Sequence, residues 1–389
     1  MSSTKLFKPI EVGNLSLKHR VVLAPLTRMR CDDQHVPQLP VMREYYSQRA
    51  KSPGTLLIAE GTLVDPKAGG YPNVPGIWND KQAAAWKEIT YAVHKNGSHI
   101  FLQLWTAGRD ADPKILTAED PSYTLIAPSA IPIRGHDVPR ALEVDEIKSL
   151  IQSYVRAASN AINKASFDGV EILMANGYLL NQFLEDVSNN RTDEYGGSIE
   201  NRARLGLEII EAVTKEVGQE KVGVRFSPWS TFQGESCLIF PVATRFNVLP
   251  LDMRMQDPIP TYSYIVKNIK KLYPNFAYVS VCEPRVEGST TRDTPIISTD
   301  SNDFIRDIWA PKPLIVAGGF DRATAIERAD STGDLIAFGR RYISNPDLPK
   351  RLFKNLPLTP YDRSTFYLPG DASGRGYTDW PAAGESGSG

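Results

Sequence analysis

Eight short runs of β-branched and apolar residues, separated by stretches of helical periodicity, constrain this chain more than any other feature it carries. The runs are Val21 to Arg28 (VVLAPLTR), Thr55 to Val64 (TLLIAEGTLV), Ile100 to Trp105 (IFLQLW) and Gly169 to Asn176 (GVEILMAN), followed by four more. Those four are Val222 to Pro228 (VGVRFSP), Ala277 to Arg285 (AYVSVCEPR), Pro313 to Gly319 (PLIVAGG) and Leu335 to Ile343 (LIAFGRRYI). Nearly unbroken apolarity over so few residues is the pattern of parallel strands covered on both faces. Between the runs, segments such as Glu146 to Ala165 and Arg202 to Val217 place apolar residues at i, i+3 and i+4, as surface helices do. Strand and helix therefore alternate. An open doubly wound sheet would alternate too, but no G-x-G-x-x-G follows an early strand, and eight repeats match a closed (β/α)8 TIM barrel. At 389 residues, with no Gly/Ser-rich or Pro-rich linker, the chain reads as one α/β domain over 1–389, with a flexible tail from about 371.

Composition narrows the function classes. With 41% hydrophobic and 23% charged residues the chain can bury a large core. Its 44 Lys plus Arg against 45 Asp plus Glu leave no basic excess for binding nucleic acid. The N-terminus MSSTKLFKPI lacks an apolar signal segment, and no run approaches the ~20 apolar residues of a membrane span, so a cytoplasmic location is expected. Cys31, Cys237 and Cys282 form no Cys-x-x-Cys pair and are expected as reduced thiols. The five histidines include no pair at metal-ligand spacing, and no metal is expected.

Active sites of such barrels lie at the C-terminal ends of the strands. Polar residues end several runs: Thr27 and Arg28 the first, Gln103 the third, Asn176 and Tyr178 the fourth, Arg225 the fifth. Gly318 and Gly319 follow the seventh strand, and Gly339 with Arg340 the eighth. Glycines let backbone N–H groups approach an anion, and a guanidinium adds a bidentate cation. These four suit a phosphate. Gln103 offers donor and acceptor to an amide-like edge, Thr27 a hydroxyl donor, and Tyr178 a phenol that stays protonated at neutral pH.

Longer segments carry a resemblance. LFKPIEVGNLSLKHRVVLAPLTRMR, DEYGGSIENRARLG, AFGRRYISNPDLPKRL and PYDRSTFY, in this order and spacing, resemble the Old Yellow Enzyme family along nearly the whole chain. The resemblance implies FMN on the barrel, NADPH as co-substrate, and reduction of the C=C bond of a small α,β-unsaturated carbonyl, here of fungal specialised metabolism. It implies that Gly318, Gly319, Gly339 and Arg340 hold the FMN phosphate, while Thr27, Gln103 and Arg225 meet the flavin ring. Tyr178 would be the proton donor, and Phe366 and Tyr367 would line the flavin and substrate side. Monomer and homodimer are both left open.

Two features depart from the family pattern. Relatives carry His-x-x-Asn or His-x-x-His at the end of the fourth strand, gripping the substrate carbonyl oxygen; here the segment is Leu173-Met174-Ala175-Asn176. Asn176 remains as a donor and Leu173 cannot be one. This leaves open an isomerase, desaturase or cyclase on the same scaffold, or a flavin-binding protein with little turnover. The second departure is an apolar insertion at about 235–252, ESCLIFPVATRFNVLPLD, after the fifth strand. A lid over the active site and a retained intron, with a GTGAGT donor encodable at Gly-Glu-Ser, both account for it.

Overall fold

Each apolar run corresponds to one strand, and the eight strands close a parallel barrel in chain order. They are β1 Val21–Leu23, β2 Leu56–Leu63, β3 His99–Trp105, β4 Gly169–Met174, β5 Val222–Phe226, β6 Tyr278–Cys282, β7 Leu314–Ala317 and β8 Leu335–Phe338. The computed structural model describes residues 4–231, 253, 255–287, 290–291 and 300–384. Pairing of β8 with β1, Phe338 opposite Leu23, completes the closure. One helix of the outer layer follows each strand: α1 Val41–Arg49, α2 Asp80–Lys95, α3 Val144–Ser159, α4 Ile199–Val217, α5 Ile259–Leu272, α6 Asp303–Trp309, α7 Arg322–Thr332 and α8 Leu348–Lys354. No helix among the described residues is long and apolar enough to cross a membrane.

Seven of the eight strands are shorter than the runs that announce them, β3 instead beginning one residue early at His99, and the shortening builds the site. β1 stops at Leu23 because Pro25 has no N–H to extend a ladder. The chain then crosses the barrel mouth, where the Arg28 N–H donates to Glu60 Oε2 at 3.0 Å. β8 likewise ends at Phe338, and Gly339 leads into a short helix, Arg340–Ile343, instead of more strand. Thr27 and Gly339 thus lie on mouth loops, and Arg340 opens the short helix. The helical stretch Glu146 to Ala165 is α3 continued by a π-helical turn, Asn160–Lys164, whose Asn160 Nδ2 donates to the Ile77 carbonyl at 2.9 Å. DEYGGSIENRARLG is largely scaffold: Ser198 caps α4, and Arg202 donates to the carbonyls of Leu184 and Gly197.

Two glycines decide where the barrel is solid. A Cβ on Gly169 would stand 2.3 Å from the Phe101 ring, and one on Gly223 would stand 2.4 Å from the Tyr278 ring. Their absence lets these two rings fill the N-terminal half, with centroids 5.5 Å apart. Val12 and Leu17 of the hairpin Ile10–Val12 and Leu15–Leu17 join this interior cluster and close that end. Open space remains at the C-terminal end of the strands.

The expectation of a flexible tail from about 371 is corrected for residues 371–384, which pack onto the barrel. Tyr377 is fully buried and stacks on Tyr45 at 4.0 Å between ring centroids. Arg30 donates to the carbonyls of Asp371 and Arg375, and Arg28 to that of Gly376. A buried tyrosine and three carbonyls answered by guanidinium groups give the segment what a free tail lacks. The insertion at about 235–252, with its lid and intron readings, and Cys237 lie outside the described residues. Cys31 and Cys282 are free thiols.

Candidate active site

A cavity of about 900 Å³ opens at the C-terminal ends of the strands, and all twelve residues singled out from the sequence line it. At one end stand Gly318, Gly319, Gly339 and Arg340. Gly318 and Gly319 have φ of +154° and +63°, values that favour glycine. A Cβ on Gly318 would come within 2.7 Å of Glu283 Cβ, so packing also requires glycine there, while one on Gly339 would crowd Leu26 Cδ2 at 3.0 Å. Arg340 Nη1 donates to the Tyr361 hydroxyl at 3.2 Å. The described lining contains five arginines, Arg28, Arg225, Arg340, Arg341 and Arg363, and no carboxylate. Such a wall favours an anion.

The floor is set by strand register. Gln103 on β3 pairs with Glu171 on β4, and Gln103 Nε2 donates to Glu171 Oε1 at 2.7 Å. One N–H of the amide is therefore engaged within the protein, while Gln103 still lines the cavity. Burial raises the Glu171 carboxyl above its usual range, against the pull of Arg225. Leu173 and Arg225 are register partners on β4 and β5. Burial opposes the Arg225 charge, but the Cys282 sulfur and the Glu171 carboxyl outweigh it, so the guanidinium stays charged. Its Nε is buried without a partner among the described residues. An orphaned guanidinium N–H in an arginine-rich, carboxylate-free cavity fits the flavin mononucleotide that the family resemblance implies.

The other end is aromatic. Trp105 packs edge-on against Tyr178 at 5.1 Å and against Tyr71 at 4.9 Å between centroids. Leu173, only 4% exposed, belongs to the same apolar cluster. Burial, then Asp110 and Tyr367, push the Tyr178 phenol well above its usual range, with Arg225 opposing; it stays protonated at neutral pH. Asn176 has φ of +60° and its N–H donates to Ser227 Oγ at 2.7 Å. Phe366 is buried, whereas Tyr367 is about half exposed at the rim.

The sequence missed four contributors. Gly61 lines the cavity, and a Cβ there would meet Trp105 at 3.3 Å and Gln103 Oε1 at 3.4 Å. Arg28, named among the strand-end polar residues but given no role, donates through Nε and Nη2 to the carbonyls of Phe366, Thr365 and Gly376 and so fixes the segment bearing Phe366 and Tyr367. Asp110, behind the cavity wall, accepts from the Tyr71 hydroxyl and is pushed up to about 7 by burial. Cys282 accepts from Arg225 Nη2 at 3.2 Å. Cys282 was read only as a reduced thiol, although it ends β6 at the barrel mouth, and nothing local flagged Asp110.

Fold and site together define a (β/α)8 barrel whose mouth opens an arginine-rich, carboxylate-free cavity suited to an anion. Residues 5–359 match the family model described as NADH:flavin oxidoreductase / NADH oxidase family, and the chain belongs to that FMN-dependent family. It is 47% identical over 389 residues to "Chanoclavine-I aldehyde reductase fgaOx3" of Penicillium roqueforti, covering 98% of this chain and 97% of the relative. It is 43% identical over 390 residues to "Probable inactive reductase easA" of Epichloe festucae var. lolii, covering 98% and 96%. Among solved structures, Old Yellow Enzyme from Pichia sp. AKU4542 superposes with a TM-score of 0.85 at 40% identity, covering 100% of this chain and 96% of that one.

Proposed function

We propose that the protein is an FMN-dependent oxidoreductase that uses NADPH to reduce the C=C bond of an α,β-unsaturated carbonyl substrate in specialised-metabolite biosynthesis. One observation carries the reading: a single cavity gathers the glycine and Arg340 end, the Gln103 and Arg225 floor, and the Asn176 and Tyr178 wall. FMN, when bound, supplies the hydride that passes between the two substrates. Gly318, Gly319, Gly339 and Arg340 would hold its phosphate. Thr27 and Gln103 would meet its polar edge, and Arg225 would keep a positive charge beside it.

Asn176 donates to the carbonyl oxygen of the enone and withdraws charge from the alkene. Tyr178, protonated at neutral pH, gives a proton to the α-carbon as hydride reaches the β-carbon. Leu173, Trp105 and Tyr71 offer the substrate an apolar wall. NADPH rather than NADH rests on the family resemblance.

A second reading, redox-neutral isomerisation or cyclisation on the same cavity, draws on Leu173, which leaves Asn176, just past β4, as the one donor of the family's pair for the carbonyl oxygen. Anaerobic product analysis with and without NADPH separates the two. The reading as a whole is tested by the flavin: the purified protein should release about one FMN per chain on denaturation, and Arg340→Ala should lose most of it. Released FAD, or full occupancy in the variant, contradicts the assignment.

A further inference from the structure

Cys282 ends β6 inside the cavity, and its main chain is fixed, because Asn302 Nδ2 donates to its carbonyl at 2.9 Å. Its sulfur lies between two groups of the proposed reaction. Arg225 Nη2 donates to it at 3.2 Å, and it lies 3.7 Å from Asn176 Oδ1, within reach of an S–H donor. A thiol is donor and acceptor at once. Since the sulfur already accepts from the guanidinium, its proton is the one turned toward Asn176.

The consequence falls on Asn176. Its main chain is held by Ser227 Oγ, and Gly177 N–H donates to Asn181 Oδ1 at 2.8 Å just beyond it. Among the described residues, the Cys282 thiol is the partner of its side-chain amide. With Oδ1 turned to the thiol, Nδ2 is the end that faces the cavity, and an N–H donor is what an oxygen gaining negative charge requires. An amide rotated by half a turn would present a lone pair to that oxygen and repel it. Orientation matters more here because Leu173 offers no second donor.

We propose that Cys282 is a positioning residue: its thiol, anchored by Arg225, orients the Asn176 amide so that Nδ2 donates to the substrate oxygen. This rests on the functional reading above and names a residue that reading does not use.

The test compares wild type, Cys282→Val and Cys282→Ser. Valine keeps similar bulk and removes donor and acceptor; serine restores both. The probe is 4-chlorophenol, whose phenolate oxygen stands in for the enolate oxygen, titrated against the flavin absorbance of the holoenzyme, which requires no turnover. Probe affinity should fall about tenfold in Cys282→Val and return to within about threefold of wild type in Cys282→Ser, the scale of one hydrogen bond to a charged oxygen. Flavin content and melting temperature should stay close to wild type in both variants. Equal affinity in all three proteins overturns the proposal, as does a serine variant no better than valine, or wild type that does not bind the probe.

Enone reduction is measured in parallel on wild type. No reduction alongside the graded probe affinity would defeat the functional reading and leave the positioning role standing. Reduction with equal probe affinities would do the reverse.

Discussion

At the scale of single residues, Leu173 is where the physics discriminates most sharply. It sits 4% exposed beside Trp105 on the wall where the family pattern puts a histidine. A small enone such as cyclohexenone has little but its carbonyl to orient it, so wild type should turn it over slowly. Leu173→His adds a second donor and should speed reoxidation of the reduced flavin by cyclohexenone by roughly one to two orders of magnitude. Stopped-flow absorbance reads it, and fast wild-type reoxidation or a slow variant with normal flavin content would contradict it. Asp110 gives a prediction in pH. Burial raises this carboxyl from 3.8 to about 7, so between those values the folded state binds the proton more tightly than the unfolded state. Its effect on stability is therefore unfavourable and grows as pH rises from about 4 to 7. Asp110→Asn removes that slope: the variant should melt near wild type at pH ~4 and progressively above it toward pH ~8. A pH-independent difference in melting temperature would refute the origin given for the shift. Most site residues were legible because chemistry-bearing types stood at strand ends. Asp110 was not, nor was the role of Arg28, since burial and long-range carbonyl partners leave no local pattern.

At the scale of elements, the short β1 shows how a break in a strand becomes part of the site. Pro25 ends the ladder, and the freed chain delivers Thr27 to the cavity and Arg28 to the C-terminal segment. Arg28 is 1% exposed and donates at 2.7 to 3.2 Å to the carbonyls of Phe366, Thr365 and Gly376. Arg28→Met leaves these acceptors without their donor and should destabilise the protein by on the order of 3 kcal/mol, with weaker flavin retention because Phe366 and Tyr367 lose their anchor. Thermal melting with flavin release as a second signal checks it, and an unchanged melt with full flavin would contradict it. The run VVLAPLTR was legible as a strand, and the signal for its end, a proline with no N–H to give the ladder, stood inside the run at Pro25. The segment 371–384 was misread. Its Gly, Asp and Ser content looks like a tail, while what holds it, Tyr45, Arg28 and Arg30, lies more than three hundred residues away in sequence.

At the scale of the molecule, eight apolar runs in eight βα units specified the barrel and its strand order, since each parallel strand needs a crossover and each crossover here is a helix. What the repeat could not show is the asymmetry along the barrel axis. That follows from Gly169 and Gly223, which let Phe101 and Tyr278 fill one half and leave the cavity in the other. The central claim is that this cavity carries hydride from a reduced nicotinamide to an activated alkene. The most direct measurement is an anaerobic titration of the purified holoenzyme with NADPH, followed by a panel of α,β-unsaturated carbonyls and product analysis. The account predicts bleaching of the flavin by about one equivalent of NADPH, then recovery of the oxidised spectrum with a C=C-saturated product; Tyr178→Phe should bleach normally and recover slowly. A flavin that NADPH does not bleach, or that no activated alkene reoxidises once bleached, would contradict it.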